Sequence, residues 1–244
     1  MKKIKFIYLA VCFLVLFGCF SSPKFYKIIS QKEYDSHWLQ GKEYVEIKQD
    51  SLEIVSVFQE VDEGKLVFSF KITNLKQPTF DVKPETFYCT FDVPIQDTTR
   101  TVTSLDPEIV IRRLETNIKH RKSKLDRQQD IDAFTNLLDT ALDANSKETA
   151  KQKTVDEVSD KTREIEQKLN YTEAERKIQN LNKIHNSWAT DTLRRTTISQ
   201  NSSISGLVYF PFNTKAKNFT LYLPLGTNVI DIVYRQKMIG KKEL

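Results

Sequence analysis

The chain predicts a mainly antiparallel β-sandwich carrying a long helical hairpin between its N- and C-terminal strands. Three observations predict it. Residues 44–92 and 203–235 carry apolar side chains at a spacing of two, in short runs separated by turn residues. Between Pro107 and about Arg195 there is no glycine and no further proline, and the apolar residues recur at spacings of three and four. Neither β-block has enough strands to bury both of its faces alone, so the two should build one sandwich.

Taken in order, the chain opens on Lys2, Lys3 and Lys5, followed by an apolar run from Phe6 to Phe17. That run is shorter than the roughly 20 residues a membrane-spanning helix needs, so residues 1–18 read as a secretory leader. It ends in Leu16-Phe17-Gly18-Cys19, which resembles the lipobox of bacterial lipoproteins: an aliphatic residue, a tolerated position, a small residue at the cut, then cysteine. The resemblance implies diacylglyceryl alkylation of the Cys19 sulfur, cleavage between Gly18 and Cys19, and acylation of the new amino terminus. Residues 19–43, with Ser21-Ser22-Pro23 near their start, then read as a lipidated tether. No acidic cluster follows Cys19. In lipoproteins of the Bacteroidota type of envelope such a cluster directs export to the outer surface, so the expected location is the outer membrane, on its periplasmic face.

Charge and cysteine content narrow the class further. Of the formal net charge of +5, three units belong to Lys2, Lys3 and Lys5 and leave with the leader, so the mature chain is close to neutral at about +2. That balance gives no argument for nucleic acid. Cys12 is lost with the leader and Cys19 is consumed by lipid, so Cys89 is left without a disulfide partner. The fold must then be held by its core.

The first β-block, residues 44–104, holds strand-like runs at 44–47, 51–61, 65–74, 79–82 and 86–92. The 65–74 run alternates cleanly after the turn residues Asp62-Glu63-Gly64: Leu66, Phe68, Phe70 and Ile72 inward, Lys65, Ser69, Lys71 and Thr73 outward. In the 86–92 run Phe87, Cys89 and Phe91 share a face, which makes Cys89 a core residue rather than a reactive thiol. The last block, residues 199–244, holds strands at 204–212, 219–225 and 229–235, with Phe219, Leu221 and Leu223 facing the core.

Residues 105–198 form the insertion. Asp106-Pro107-Glu108 supplies an N-cap, a proline at the first helical position and an acid in the first turn. Ile111, Leu114, Ile118 and Leu125 then follow a helical stripe, which slips in phase at 126–130 and resumes with Ile131, Phe134, Leu138 and Ala141. After a tip near 145–151, Val155, Val158, Thr162, Ile165 and Leu169 form a second stripe. Asn170-Tyr171 breaks it, Thr172 to Glu175 has the form of a capping box, and Ile178, Leu181, His185 and Trp188 complete the return. The expected shape is two antiparallel arms, each kinked at its break, with Leu169 meeting Leu125 and Trp188 sealing the base against the sandwich.

The β-blocks together resemble the immunoglobulin-like domain, sometimes called telokin-like, of bacterial envelope lipoproteins of unassigned function. The residues that carry the resemblance are Val67 to Asn74, Pro84-Glu85-Thr86-Phe87, Ser205-Gly206-Leu207-Val208-Tyr209-Phe210-Pro211 and Phe219-Thr220-Leu221. In that family a glycine begins a strand ending in an aromatic residue, and an F-x-L strand follows. The helical segment between Phe91 and Gly206 departs from the family pattern. The resemblance implies an immunoglobulin-like sandwich and transfers no catalytic residue.

The sequence offers little catalytic chemistry. His37, His120 and His185 lie in unrelated segments without a partner at metal-ligand spacing, and the chain has no G-x-S-x-G, no phosphate-binding glycine loop and no H-E-x-x-H. Ser36-His37 reads as part of a capped helix or turn, because adjacency in sequence does not create triad geometry. No cofactor and no metal are expected. The distinctive charge feature is a basic run of Arg112, Arg113, Lys119, Arg121, Lys122, Lys124 and Arg127, against only Glu115 and Asp126. It suits a solvated helix face, or contact with anionic headgroups or an acidic protein. Without interleaved aromatic residues it does not suit nucleic acid.

The expected function is therefore that of a non-enzymatic, lipid-anchored envelope protein that binds another envelope protein through the hairpin or a sandwich edge. The alternative is a small-ligand-binding module whose pocket lies between hairpin and sandwich. An apolar stripe left exposed on the hairpin would favour the first, and a concave pocket with converging polar groups the second.

Overall fold

The computed structural model describes residues 25–31, 34–93, 98–143 and 150–239. Gly18 and Cys19, with the leader and the expected lipidation site, lie outside the described residues. Five strands come first: β1 (Phe25–Ser30), β2 (Asp35–Leu39), β3 (Lys42–Gln49), β4 (Leu52–Asp62) and β5 (Lys65–Asn74). There follow β6 (Phe80–Val82), a 3-10 turn over Pro84–Thr86, β7 (Tyr88–Val93) and β8 (Thr98–Thr103). Two long helices, α1 (Pro107–Asp143) and α2 (Ala150–Asp191), lead to β9 (Thr196–Ile198), β10 (Ser202–Pro211), β11 (Asn218–Leu225) and β12 (Asn228–Ile239).

The strands form two five-stranded antiparallel sheets, in the orders β1-β12-β11-β7-β8 and β10-β5-β4-β3-β2, with β6 and β9 as a separate pair. Both large sheets mix strands from before and after the helices, as neither block can close a core alone. Register in the second sheet is fixed by two-residue turns. Asp50-Ser51 and Glu63-Gly64 take positive φ at both positions, 50° and 63°, then 43° and 76°. That backbone matches the right-handed twist of the strands it joins. A bulge between Phe58 and Glu60 shifts β4 against β5.

The core lies between the sheets. In β5, Leu66, Phe68, Phe70 and Ile72 have no exposed surface, as the alternation of that segment predicts. The Phe68 ring lies 5.5 Å from Phe58 and 6.4 Å from Phe210 in its own sheet, and 6.2 Å from Phe219 and 5.1 Å from Tyr234 in the opposite one. Each aromatic pair adds roughly 0.5–1.5 kcal/mol beyond the burial of its area. The buried Tyr234 hydroxyl donates to Ser56 Oγ at 2.8 Å, so that the one polar atom of this cluster is satisfied across the sheets.

Several expectations need correction. Residues 25–30 and 35–39, expected in the tether, are strands: β1 pairs along its length with β12, burying Ile28, and β2 forms the edge of the second sheet. The partner of β1 lies some two hundred residues downstream, so no local pattern announces the pairing. Ser36-His37 sits in β2, where the His37 ring stacks on Tyr44 at 5.2 Å, and is neither helix nor turn. Strands β8 and β9 go unannounced because they are threonine-rich and short of inward apolar residues. The insertion ends earlier than 198, since β9 already pairs with β6 and Thr192 bridges Leu207.

Both helices run through the expected breaks at 126–130 and Asn170-Tyr171. Thr172 does not cap a new helix; its hydroxyl donates back to the Lys168 carbonyl at 2.9 Å, one turn earlier. The start of α1 does follow the sequence signal: Asp106 Oδ1 accepts from the backbone N–H of Glu108 at 2.9 Å, with Pro107 as the first helical residue. No helix among the described residues is long and apolar enough to cross a membrane.

Candidate functional site: the helical arms and their base

The helices leave the sheets beside β8 and return onto β10. Leu105 N–H donates to the Tyr209 carbonyl at 2.8 Å, and Leu193 N–H donates to the Leu207 carbonyl at 2.9 Å, which places both ends of the insertion on one strand edge. The chain crosses β10 so closely that a Cβ on Gly206 would stand 2.4 Å from the Leu193 nitrogen. Only glycine leaves room for that crossing. Trp188 stacks on Tyr209 at 4.5 Å and 25°, which is the seal the sequence places there, although the indole remains half-exposed. Across the same base Arg194 makes a two-pronged contact with Glu108, at 2.7 and 2.8 Å. The Arg194 hydrogen bond holds the Glu108 carboxyl below the usual range and raises the guanidinium in turn.

Farther out, α1 and α2 pack along a narrow seam. Ile111 and Ile118 of α1 and Ile178 of α2 are buried in it. His185 Nε2 lies 3.3 Å from Glu115 Oε1, and the Tyr171 hydroxyl donates to Asp132 Oδ2. Contacts reach from Glu108 to Arg194, from Glu115 to His185 and from Asp132 to Tyr171, so one partner number falls as the other rises and the helices are antiparallel. The hydrogen bond to the Asp132 carboxylate, helped by partial burial, pushes the Tyr171 phenol up to about 12. Beside this pair is a groove of about 440 Å³ lined by Arg121, Lys124, Leu125, Tyr171 and Lys177 among others. Leu169, expected in the seam, is exposed, and Tyr171 meets α1 at this level through Asp132.

The basic run on α1 is exposed along its whole length. Among the described residues no salt bridge involves Arg112, Arg113, Lys119, Arg121, Lys122, Lys124 or Arg127. The helix divides the seven rather than gathering them. Arg112 and Arg113 flank a shallow groove with Ile109, Lys119 and Lys122 border a groove of about 400 Å³ beside His185, and Arg121 and Lys124 border the groove at Tyr171. Arg127 Nε donates to the Ser123 carbonyl at 3.1 Å.

Continuity of the helices has a second consequence. The apolar stripes change phase at the two expected breaks, and beyond them their large side chains stand exposed. Ile131, Phe134 and Leu137 of α1 and Ile165 and Leu169 of α2 are between 59% and 70% exposed. Five large apolar side chains standing free on the outer halves of two helices are more than scattered surface hydrophobes.

The histidines remain apart: His37 lies 3.5 Å from Glu46 in the sheet, His185 is on the seam and His120 is exposed on α1. Among the described residues no three His, Cys, Asp or Glu side chains are grouped to hold a metal ion. Cys89 is buried, and desolvation drives its thiol far above the usual range. The pairing of Asp132 with Tyr171 was invisible in the sequence, because it emerges only when the two arms are laid side by side. Compared with protein-family models, curated proteins and solved structures, the chain matches none.

Proposed function

We propose that this is a non-enzymatic, lipid-anchored cell-envelope protein in which an immunoglobulin-like sandwich presents a helical hairpin to another envelope protein. The observation that carries the reading is the exposed apolar pair of stripes at Ile131, Phe134, Leu137, Ile165 and Leu169. Covering such side chains is worth roughly 1.5–3 kcal/mol each when burial is complete, and within this chain nothing among the described residues covers them. The basic run on α1, exposed and without a salt bridge among the described residues, supports an anionic partner surface, which would steer the encounter. The alternative, a small-ligand pocket between hairpin and sandwich, has less support, because Trp188 on Tyr209 and Leu193 on Gly206 fill that junction.

Anchoring rests on the lipobox-like Leu16-Phe17-Gly18-Cys19, with lipid on Cys19 after cleavage at Gly18, and the expected site is the periplasmic face of the outer membrane. Cys19→Ser should abolish labelling by a fatty-acid analogue. A photo-crosslinking amino acid at Phe134 or at Leu169 should capture one discrete protein in intact cells, and Phe134→Ser with Leu169→Ser should lose it. Adducts no more discrete than those from the exposed Val229 on the sheet would overturn the reading.

A further inference from the structure

The opposite edge of the sandwich from the helices carries a second exposed apolar group. Helix α1 follows β8, and the chain returns from α2 onto β10, so both ends of the insertion meet one lateral edge of the stacked sheets. Strands β1 and β2 form the other edge. There the Lys27 ammonium lies 5.4 Å from the centre of the Trp38 ring, and Ser30 bonds the Glu43 carboxylate through its N–H at 2.8 Å and its hydroxyl at 2.6 Å. These contacts lay β1 against the β2–β3 hairpin, with the start of β1 near the end of β2. The end of β12 joins them, since Tyr26 stands across from Met238 and Phe25 from Ile239.

At this corner Phe25, Trp38, Leu39 and Met238 are between 46% and 57% exposed. Every residue of β2 is exposed, although it carries a tryptophan and a leucine on an edge strand, where apolar exposure invites association. Lys27, Lys42 and Lys237 flank the group. A tryptophan with a lysine beside it, next to phenylalanine, leucine and methionine, is the composition that settles at a bilayer interface: rings and thioether among the upper acyl chains, ammonium groups at the headgroups.

The covalent route to the membrane ends at the same corner. From Cys19 to Phe25 the chain advances six residues, which span at most about 20 Å when fully extended. We infer that the corner formed by Phe25, Trp38, Leu39 and Met238 is a membrane-contact surface that seats the sandwich on the bilayer and points the helical arms away from it. The inference rests on the lipid-anchor reading of Cys19. It goes beyond that reading, because a flexible tether would hold the protein near the membrane without orienting it.

Trp38 supplies its own probe, because the second tryptophan, Trp188, stacks on Tyr209 at the far edge. Full-length lipidated protein is reconstituted in phosphatidylethanolamine–phosphatidylglycerol vesicles with acyl chains brominated near the glycerol, then recovered by flotation. Quenching of the native protein's fluorescence, lost in Trp38→Phe while that variant still floats, supports the inference. Protein that floats with native fluorescence no more quenched than that of Trp38→Phe overturns it and leaves the anchor standing. The same result accompanied by a crosslinked dimer through position 38 would assign the corner to a second copy of the chain. Protein that does not float overturns both the anchor and the seat.

Discussion

At Gly206 a single missing methyl group decides whether the insertion can dock. The Leu193 backbone crosses so near that an added Cβ would meet its nitrogen at 2.4 Å and its Cα at 2.7 Å, and neither atom belongs to a flexible side chain. Gly206→Ala should therefore destabilise the fold by roughly 1–3 kcal/mol, the usual cost of overpacking, read as a lower urea midpoint at unchanged slope. An unchanged midpoint would show that the crossing relaxes freely. This glycine was singled out in the sequence only by the family resemblance, as the start of a strand; it lies inside β10, and its reason was not legible because the atom it makes room for lies on a segment read as part of the helical insertion. Cys89 is the opposite case. Its place between Phe87 and Phe91 told of burial, and the structure gives it no exposed surface. A thiol reagent should modify it only on unfolding, with a rate that tracks denaturant; rapid labelling of native protein would contradict that.

At the scale of elements, what could be read depended on whether the signal was local. Strand β5 and the start of α1 announce themselves by alternation and by Asp106-Pro107, and both stand where expected. Strand β1 becomes a strand only because β12 needs an edge partner, and no alternation in six residues foretells it. The helical breaks were misread for a different reason. A phase slip in an apolar stripe can end a helix or leave it running with its stripe turned outward, and here both helices run on while Ile131, Phe134 and Leu169 are exposed. What replaces the apolar seam at that level is polar, Asp132 with Tyr171 and Gln128, whose amide donates to Asp132 at 3.0 Å. The raised phenol fixes the sign of its linkage. Stabilisation from this bond is complete below the ordinary tyrosine range and is lost as pH rises toward about 12. Burial also raises the Tyr234 and Tyr209 phenols, so phenolate absorbance should show several late-titrating tyrosines, of which one disappears in Tyr171→Phe and moves back toward about 10 in Asp132→Asn. A titration unaffected by Asp132→Asn would mean that the arms do not meet there.

The whole molecule joins two units with different sources of stability. The stacked sheets have a continuous aromatic core around Phe68, closed by strands from both ends of the chain. The arms have a thin seam, with Ile111, Ile118 and Ile178 buried near the base and exposed apolar residues beyond Asp132 and Tyr171. Fixing each residue's backbone costs roughly 1–2 kcal/mol, and among the described residues of the outer arms Ile131, Phe134, Leu137, Ile165 and Leu169 return little of it, being exposed. On the proposed function, their retention is explained by a partner outside the chain. The level of Asp132 and Tyr171 is the natural place to cut, because their side chains already touch and helix axes there are about 8–10 Å apart. Deleting residues 133–170 and joining Asp132 to Tyr171 with a short glycine-containing turn should leave the sheets, the Trp188–Tyr209 seal and the Arg194–Glu108 pair in place. Far-UV circular dichroism should lose helix in proportion, while the chemical-denaturation midpoint of the sheets holds. On the proposed lipid anchor at Cys19, which the deletion leaves untouched, the shortened protein should still reach the membrane in cells, and a photo-crosslinker moved to an exposed basic-run position such as Lys124 should no longer capture the partner taken from Phe134. Unfolded sheets would show that the outer arms contribute to the core after all. A shortened protein that still captured the same partner would move the binding surface from the apolar stripes to the basic run or the sheets.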